Sequence, residues 1–304
     1  MNVRVLGFAP NATADFLSTS SFWTPAHNPP SAWTGHAPFA FWLVDALKPR
    51  SIVELGVHAG FSYLVFCQAV RQLELDCLCR GVDTWKGDEH SGFYGEEVFQ
   101  GLCRDHYRYL GFSRLIRSTF SEARSQVADG SVDLLHIDGC HRYEAVRRDF
   151  DMWKPKLSSR AVVLFHDTAE PAFGVGAFWR ELCDQYPHFE FSHAHGLGVL
   201  GFGADLPIRL EQFFAAAEID SASQSICTAY ERLGDAIVDR QAVKQLERRV
   251  EQIAQVYTTS TSWRLTAPIR AAARLARGLR GGRIPLQQPG CDYPSLSTQS
   301  ATAT

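Results

Sequence analysis

From residue 35 to about 205, short apolar runs alternate with stretches in which apolar residues recur every three or four positions. The runs SIVEL (51–55), LCRGVD (78–83), RLIR (114–117), VDLLHID (132–138) and AVVLFHD (161–167) read as strands. Between them, FSYLVFCQAVRQLE, EEVFQGLCRDHYRYL, FSEARSQVA and YEAVRRDFDMWKPKL carry the helical spacing. Apolar strands separated by helices predict an α/β fold whose parallel sheet is covered on both faces. The alternation then breaks. After GAFWRELCDQY come FEFSHAH and LGVLGFG with no helix between them, which predicts a closing β-hairpin.

The flanks have other patterns. Residues 1–34 are rich in Pro, Ser, Thr and aromatics and read as an irregular arm or lid outside the core. Residues 206–257 read as helical. Val243, Leu246, Val250, Ile253 and Tyr257 recur there at spacings of three and four, the seam of a short coiled coil or the inner face of a helix on its own domain. Residues 258–304 form a basic tail, disordered after about 284. Arg264, Arg270, Arg274, Arg277, Arg280 and Arg283 occur in it with no acid among them. Such a segment fits an anionic membrane surface, a partner protein or a solvated tail.

Bulk properties narrow the classes. A net charge of −3 over 304 residues argues against a nucleic-acid-binding protein. The N-terminal segment lacks the apolar core of a signal peptide, and no run is long enough to span a membrane. None of the eight cysteines forms a CxxC pair, which together point to a reduced, cytoplasmic protein.

SIVELGVHAGFSY puts Glu54 near the end of the first strand, followed by Gly56, Gly60 and a helix. Glycine there lets the backbone turn sharply and approach a ligand closely. The dinucleotide fingerprint is not met, because Val57 and His58 fill the span after Gly56. Asp83 ends the second strand, where a carboxylate can accept from both ribose hydroxyls. Trp85 and the stretch Ser118–Phe120, with Thr119 at its centre, are expected beside an adenine.

HIDGCHRYE (136–144) is the densest chemistry in the chain. Ligands of a parallel α/β sheet gather at the carboxyl ends of its strands. Asp138 is expected at the tip of the fourth strand, and His166 and Asp167 at the tip of the fifth. Two converging carboxylates repel unless a proton or a hard cation separates them. His141 is a candidate base, since imidazole titrates near neutrality. Tyr143, Glu144 and Asp149 are candidate supporting residues. His136 reads as a structural group, and GDEHSGFYG (87–95), with Asp88, Glu89 and His90, as a mobile loop over the site.

These segments carry a resemblance. ELGVHAG, GVDTWKGDEHSGFYGEEVF, HIDGCHRYEAVRRDF and VVLFHDT look like class I S-adenosylmethionine-dependent methyltransferases, in particular the macrocin O-methyltransferase and cephalosporin-hydroxylase-like family. The chain is more distantly similar to catechol O-methyltransferases. The resemblance covers roughly residues 35–205. It implies a Rossmann-like seven-stranded sheet ending in a hairpin, with S-adenosylmethionine bound by Glu54, Gly56, Gly60, Asp83, Trp85 and Thr119. By the catechol-type pattern, Asp138, His166 and Asp167 would hold a divalent metal, Mg²⁺ first. His141 stands where that pattern has a lysine base, and His166 where it has a carboxylate, which opens the site to softer ions.

The expected activity is methyl transfer to a hydroxyl of a sugar, glycan precursor or related natural product, with Asp138 and His141 catalytic. TSWRLTAPIR resembles a segment of bacterial glycan-assembly enzymes, which points to a glycosyltransferase partner or the inner membrane face, with a homo-oligomer also open. Two alternatives stand beside it: a metal-dependent hydroxylase-like enzyme on the same fold, and a catalytically silent module of a glycan-assembly complex.

Overall fold

The computed structural model describes residues 16–88 and 92–280. Its centre is a seven-stranded sheet built from β1 (Ser51–Leu55), β2 (Leu78–Asp83), β5 (Ser113–Arg117), β6 (Val132–Ile137), β7 (Leu157–His166), β8 (His188–Phe191) and β9 (Leu197–Gly201). The spatial order is β5-β2-β1-β6-β7-β9-β8. The first five strands are mutually parallel, and β9 runs antiparallel to both β7 and β8. This is the expected Rossmann-like α/β sheet closed by a hairpin. Strand β7 begins four residues before the expected start, because Leu157 already pairs with Val132 ahead of a register shift.

Two apolar layers enclose the sheet. On one face α1 (Ala37–Leu47) and α2 (Phe61–Gln72) bring Phe39, Trp42, Tyr63 and Phe66 against Ile52, Leu134 and Leu164. Helix α1 is buried on nearly every side, as its continuous apolar sequence APFAFWLV requires. On the other face α5 (Tyr143–Trp153) and α6 (Val175–Cys183) place Phe150, Trp153, Phe178 and Trp179 against Val53, Leu135 and Val163. Because side chains alternate along a strand, successive residues of β1 and β6 feed opposite layers.

The segment expected to lie outside the core does not do so throughout. Phe16 and Trp33 are nearly fully buried in the first layer, because aromatic area in this Pro-rich stretch gains more from burial than from solvent. Its first fifteen residues lie outside the described ones. The 87–95 loop contains a two-residue antiparallel ladder, β3 (Gly87–Asp88) with β4 (Gly92–Phe93), while Glu89 and His90 lie outside the described residues. The first helix after β2 is α3 (Glu96–His106), and α4 (Phe120–Ala123) follows β5.

The chain divides into two units, Met1–Val243 and Lys244–Thr304. Helix α7 (Ile208–Ala217) packs in the first unit, and α8 (Asp220–Thr259) begins there, burying Ile226, Tyr230 and Ile237. The expected seam residues Val243, Leu246, Val250, Ile253 and Tyr257 are each at least half exposed. The second unit continues with α9 (Thr261–Leu265) and α10 (Ala267–Arg280). Arg264 and Arg274 are exposed, and Arg270 stacks over the Trp263 ring. Arg283, Cys291 and the stretch after 284 lie outside the described residues. No described helix is long and apolar enough to cross a membrane.

Candidate active site

Five parallel strands present their carboxyl ends on one edge, and the chain reverses direction across the sheet between β1 and β6. A crevice opens at such a reversal. Here it is a cavity of about 870 Å³, a size suited to a small-molecule site.

Its first wall is the turn after β1. Gly56 has φ +91°, and a Cβ there would stand 2.0 Å from the Asp138 carbonyl oxygen. Only glycine lets this turn lie against the tip of β6. Gly60, at φ +86°, opens α2, and a Cβ there would meet Leu102 at 2.3 Å. Asp83 ties the turn down: its Oδ2 accepts from Val57 N at 2.9 Å and His58 N at 2.8 Å, and its Oδ1 from Trp85 N at 2.7 Å. The Trp85 indole donates to His58 O at 2.9 Å.

Gly56, Gly60, Asp83 and Thr119 all line the cavity. Glu54 and Trp85 are not among its lining residues. Glu54 is fully buried, accepts from Ser62 Oγ at 2.7 Å and faces His136 Nδ1 at 3.4 Å. Burial raises its pKa, with His136 and Ser62 opposing the rise. Side chains alternate along β1, so Glu54 faces the first apolar layer while the backbone beyond it forms the turn. Trp85 braces the turn from below, 1% exposed. Trp85 acts on the cavity through the turn backbone that it holds at His58. His136 also stays out of it, packed against Trp33 and Phe66 at ring distances of 5.4 and 5.9 Å.

The second wall carries the acids. Asp138 and Asp167 stand just past the ends of the adjacent strands β6 and β7, and both line the cavity with His141 and His166. His141 Nε2 lies 3.0 Å from Asp167 Oδ2 and 3.8 Å from Asp138 Oδ1. Its ring stacks on Phe173 at 4.5 Å. His166 Nδ1 lies 3.4 Å from one oxygen of each acid, and its Nε2 donates to the Ala194 carbonyl at 3.1 Å. Asp167 holds φ +62°, an unfavourable backbone for a non-glycine residue, and this turns its carboxylate toward the histidines.

The electrostatics follow from crowding. Burial works against the charge on Asp138, but the His166 imidazolium and hydrogen bonds from His141 and His166 hold its pKa well below the usual carboxylate range. Burial alone would lower His166; the Asp138 and Asp167 carboxylates reverse this and carry it up to about 10. His141 is likewise raised, with its burial outweighed by Asp138 and Asp167.

Asp138, His141 and Asp167 each offer a donor atom, all within 4.8 Å of one another. The triad that geometry brings together thus has His141 where the expected metal set has His166. His166 faces the same two acids through Nδ1, with its Nε2 held by Ala194 of the β8–β9 turn. Two carboxylates and an imidazole opening into a cavity fit a divalent cation that keeps further positions for water or an acceptor.

The remaining wall was only partly legible in the sequence, which pointed to Phe120 and Asp149 but not to the rest. Pro30–Trp33 come from the arm, Phe120 and Ser121 from α4, and Arg148, Asp149 and Met152 from α5. A further signal existed for one of them: Ala145, Val146, Phe150 and Trp153 form the buried stripe of α5, and Asp149 occupies a position within it. Of the other candidate supports, Tyr143 instead donates to Glu181 at 2.7 Å on the surface, and Glu144 is exposed.

Residues 53–168 match a family model described as a methyltransferase domain. The matched stretch holds Gly56, Asp83, Asp138, His141 and Asp167. The protein y4gI of Sinorhizobium fredii is 54% identical over 181 residues, which cover 59% of this chain and 20% of that protein. A 98-residue stretch is 26% identical to interstitial collagenase of Bos taurus, covering 32% of this chain and 21% of that one. The chain thus spans about a fifth of the length of the curated relatives it matches. Among solved structures, the chain is similar to the S-adenosylhomocysteine-bound methyltransferase PaMTH1 of Podospora anserina, with 15% identity, 65% of this chain and 97% of that chain covered, and a TM-score of 0.43. It is also similar to the O-methyltransferase TomG of Streptomyces achromogenes in complex with S-adenosylmethionine, with 12% identity, coverage of 66% and 92%, and a TM-score of 0.43.

Proposed function

We propose that the protein is an S-adenosylmethionine-dependent O-methyltransferase. Its acceptor is a hydroxyl of a sugar, glycan precursor or related natural product, and a divalent cation assists at Asp138 and Asp167. The observation that carries this reading is the meeting of Asp138, His141 and Asp167 in the cavity walled by the Gly56–Gly60 turn. The sugar class rests on the resemblance of TSWRLTAPIR to segments of glycan-assembly enzymes.

Each residue then has a task. The turn from Gly56 to Gly60 gives the amino-acid and ribose parts of the cofactor a close backbone wall. Asp83 keeps that wall in shape through Val57 and His58, with acceptor capacity left on its oxygens for ribose hydroxyls. Thr119 and its neighbours border the base. When bound, the cation would lower the proton affinity of a coordinated hydroxyl and orient it. As the acceptor oxygen attacks the methyl carbon and the carbon–sulfur bond breaks, Nε2 of His141 takes the hydroxyl proton. Positioning supplies much of the barrier reduction, since the three reacting atoms must lie in line.

A second reading of His141 has its own observation. The same Nε2 faces both carboxylates, so it is also placed to be the third ligand. One lone pair cannot serve both roles at once. Calorimetric Mn²⁺ titration of His141→Ala separates them: unchanged affinity supports the base, and a loss of tenfold or more the ligand.

The activity itself is tested by incubating the protein with S-adenosylmethionine, Mg²⁺ and a panel of nucleotide sugars and oligosaccharides. A product heavier by CH₂, by mass spectrometry, supports methyl transfer. A product heavier by one oxygen would favour the hydroxylase-like alternative.

A further inference from the structure

Asp149 is the cavity's unexplained group. It stands within the apolar stripe of α5 and is 3% exposed, yet it lines the cavity. Its Oδ1 has a loose partner, Arg148 Nε at 3.8 Å, on a side chain that is itself 70% exposed. Its Oδ2 makes no hydrogen bond among the described residues. A buried carboxylate with so little internal solvation is costly and is retained where something else satisfies it. Burial raises its pKa to about 6, so at neutral pH it is mostly ionised and gains from any donor brought to it.

The surroundings say what kind of donor. Asp149 shares its part of the cavity with Phe120, Ser121 and Met152, an aromatic ring and a thioether suited to a flat heterocycle. Gly139 keeps this space open: a Cβ there would stand 2.7 Å from Phe120 Cε2 and 3.8 Å from Asp149 Oδ2. Phe120 follows β5, at the opposite end of the parallel strands from β7, which carries Asp167. A nucleoside whose reactive end lies at Asp138 and Asp167, and whose ribose lies at Asp83, extends its base toward α4 and α5.

We infer that Asp149 reads the base of the nucleoside cofactor, its Oδ2 accepting a hydrogen bond from the exocyclic amino group of adenine. This rests on the S-adenosylmethionine reading above and adds a specificity residue to it. A 6-oxo purine presents a carbonyl at that place, which would repel the carboxylate. The residue therefore selects an amino purine.

The test compares S-adenosylhomocysteine with S-inosylhomocysteine, its 6-oxo counterpart, by calorimetry on the wild type, Asp149→Asn and Asp149→Ala. Wild type is expected to favour the amino ligand by about 10- to 100-fold, the range for one buried hydrogen bond and its mismatch. Asp149→Asn, nearly isosteric and able to donate as well as accept, should bring the two affinities within about threefold. Asp149→Ala should weaken S-adenosylhomocysteine without restoring a preference. With S-adenosylmethionine, KM should rise while kcat at saturation stays within a few-fold, and thermal melts should confirm folding. Unchanged preference in both folded variants would overturn this inference while leaving the methyltransferase reading in place. A wild type that binds neither ligand would overturn both.

Discussion

His141 Nε2 and Asp167 Oδ2 are 3.0 Å apart although they belong to different strand–helix connections. The contact exists because β6 and β7 are adjacent and parallel, and because the φ of +62° at Asp167 turns its side chain back across the gap. His141→Ala is expected to lower kcat by about 10²- to 10⁴-fold, the usual worth of a positioned acid–base group. Its affinity for S-adenosylhomocysteine should stay within a few-fold of wild type. Steady-state kinetics beside calorimetry checks both.

Gly56 couples the cofactor turn to the acid cluster. Gly56→Ala adds a Cβ that would overlap the Asp138 carbonyl and also forces alanine to φ +91°. We expect a loss of about 2 kcal/mol or more in stability. Cofactor affinity should fall with it, as the turn and the tip of β6 must separate. Denaturant unfolding and calorimetry on the same preparation report the two effects. By contrast, Gly111→Ala should be mild, since its added Cβ meets nothing within 4 Å.

The cation-free protein should show a pH signature at His166. Its folded pKa, about 10, lies above the ordinary imidazole value. A group raised on folding stabilises fully below its unfolded pKa and loses that contribution as pH rises through the folded value. Stability without added metal should therefore decline between about pH 6.5 and 10. NMR titration of the ring nitrogens, assigned with His166→Asn, should find imidazolium still present at pH 8. Divalent ions should bind more tightly as pH rises, because they compete with these protons.

Asp133 gives a prediction remote from the chemistry. It is fully buried and accepts from Arg50 N and Nε, and from Ser158 Oγ, tying the start of β6 to β7 and to the approach to β1. Asp133→Ala leaves these donors unmatched and should cost about 2–3 kcal/mol. Turnover per folded molecule should hold. Thermal melting with active-site-normalised rates separates the two.

How much of this was legible in the chain differs by residue. Strands β6 and β7 are six and ten residues long and end in runs buried on both faces, so VDLLHID and AVVLFHD announce both the sheet and the acids at its tips. That Asp138 and Asp167 meet follows from two consecutive strands being neighbours. Which histidine completes the triad was hidden. His141 Nε2 and His166 Nδ1 both face the two acids, and spacing along the chain does not choose between them. Glu54 and Trp85, expected to bind the cofactor, are not among the residues lining the cavity. Whether a strand-end side chain faces ligand or core depends on a single residue of register. Trp33 was hidden because it lies in a Pro-rich stretch without periodicity, whereas Asp149 was named as a support and reaches the cavity from within the apolar stripe of α5.

In the proposed enzyme a cation held by Asp138 and Asp167 would lie beside the methyl end of bound S-adenosylmethionine. Carbon NMR of methyl-¹³C-labelled cofactor on the protein, with Mn²⁺ or Mg²⁺ added, tests it directly. Strong paramagnetic relaxation of the methyl signal is expected with Mn²⁺, abolished in Asp138→Asn and Asp167→Asn. Bound cofactor whose methyl signal relaxes equally with either ion would contradict it.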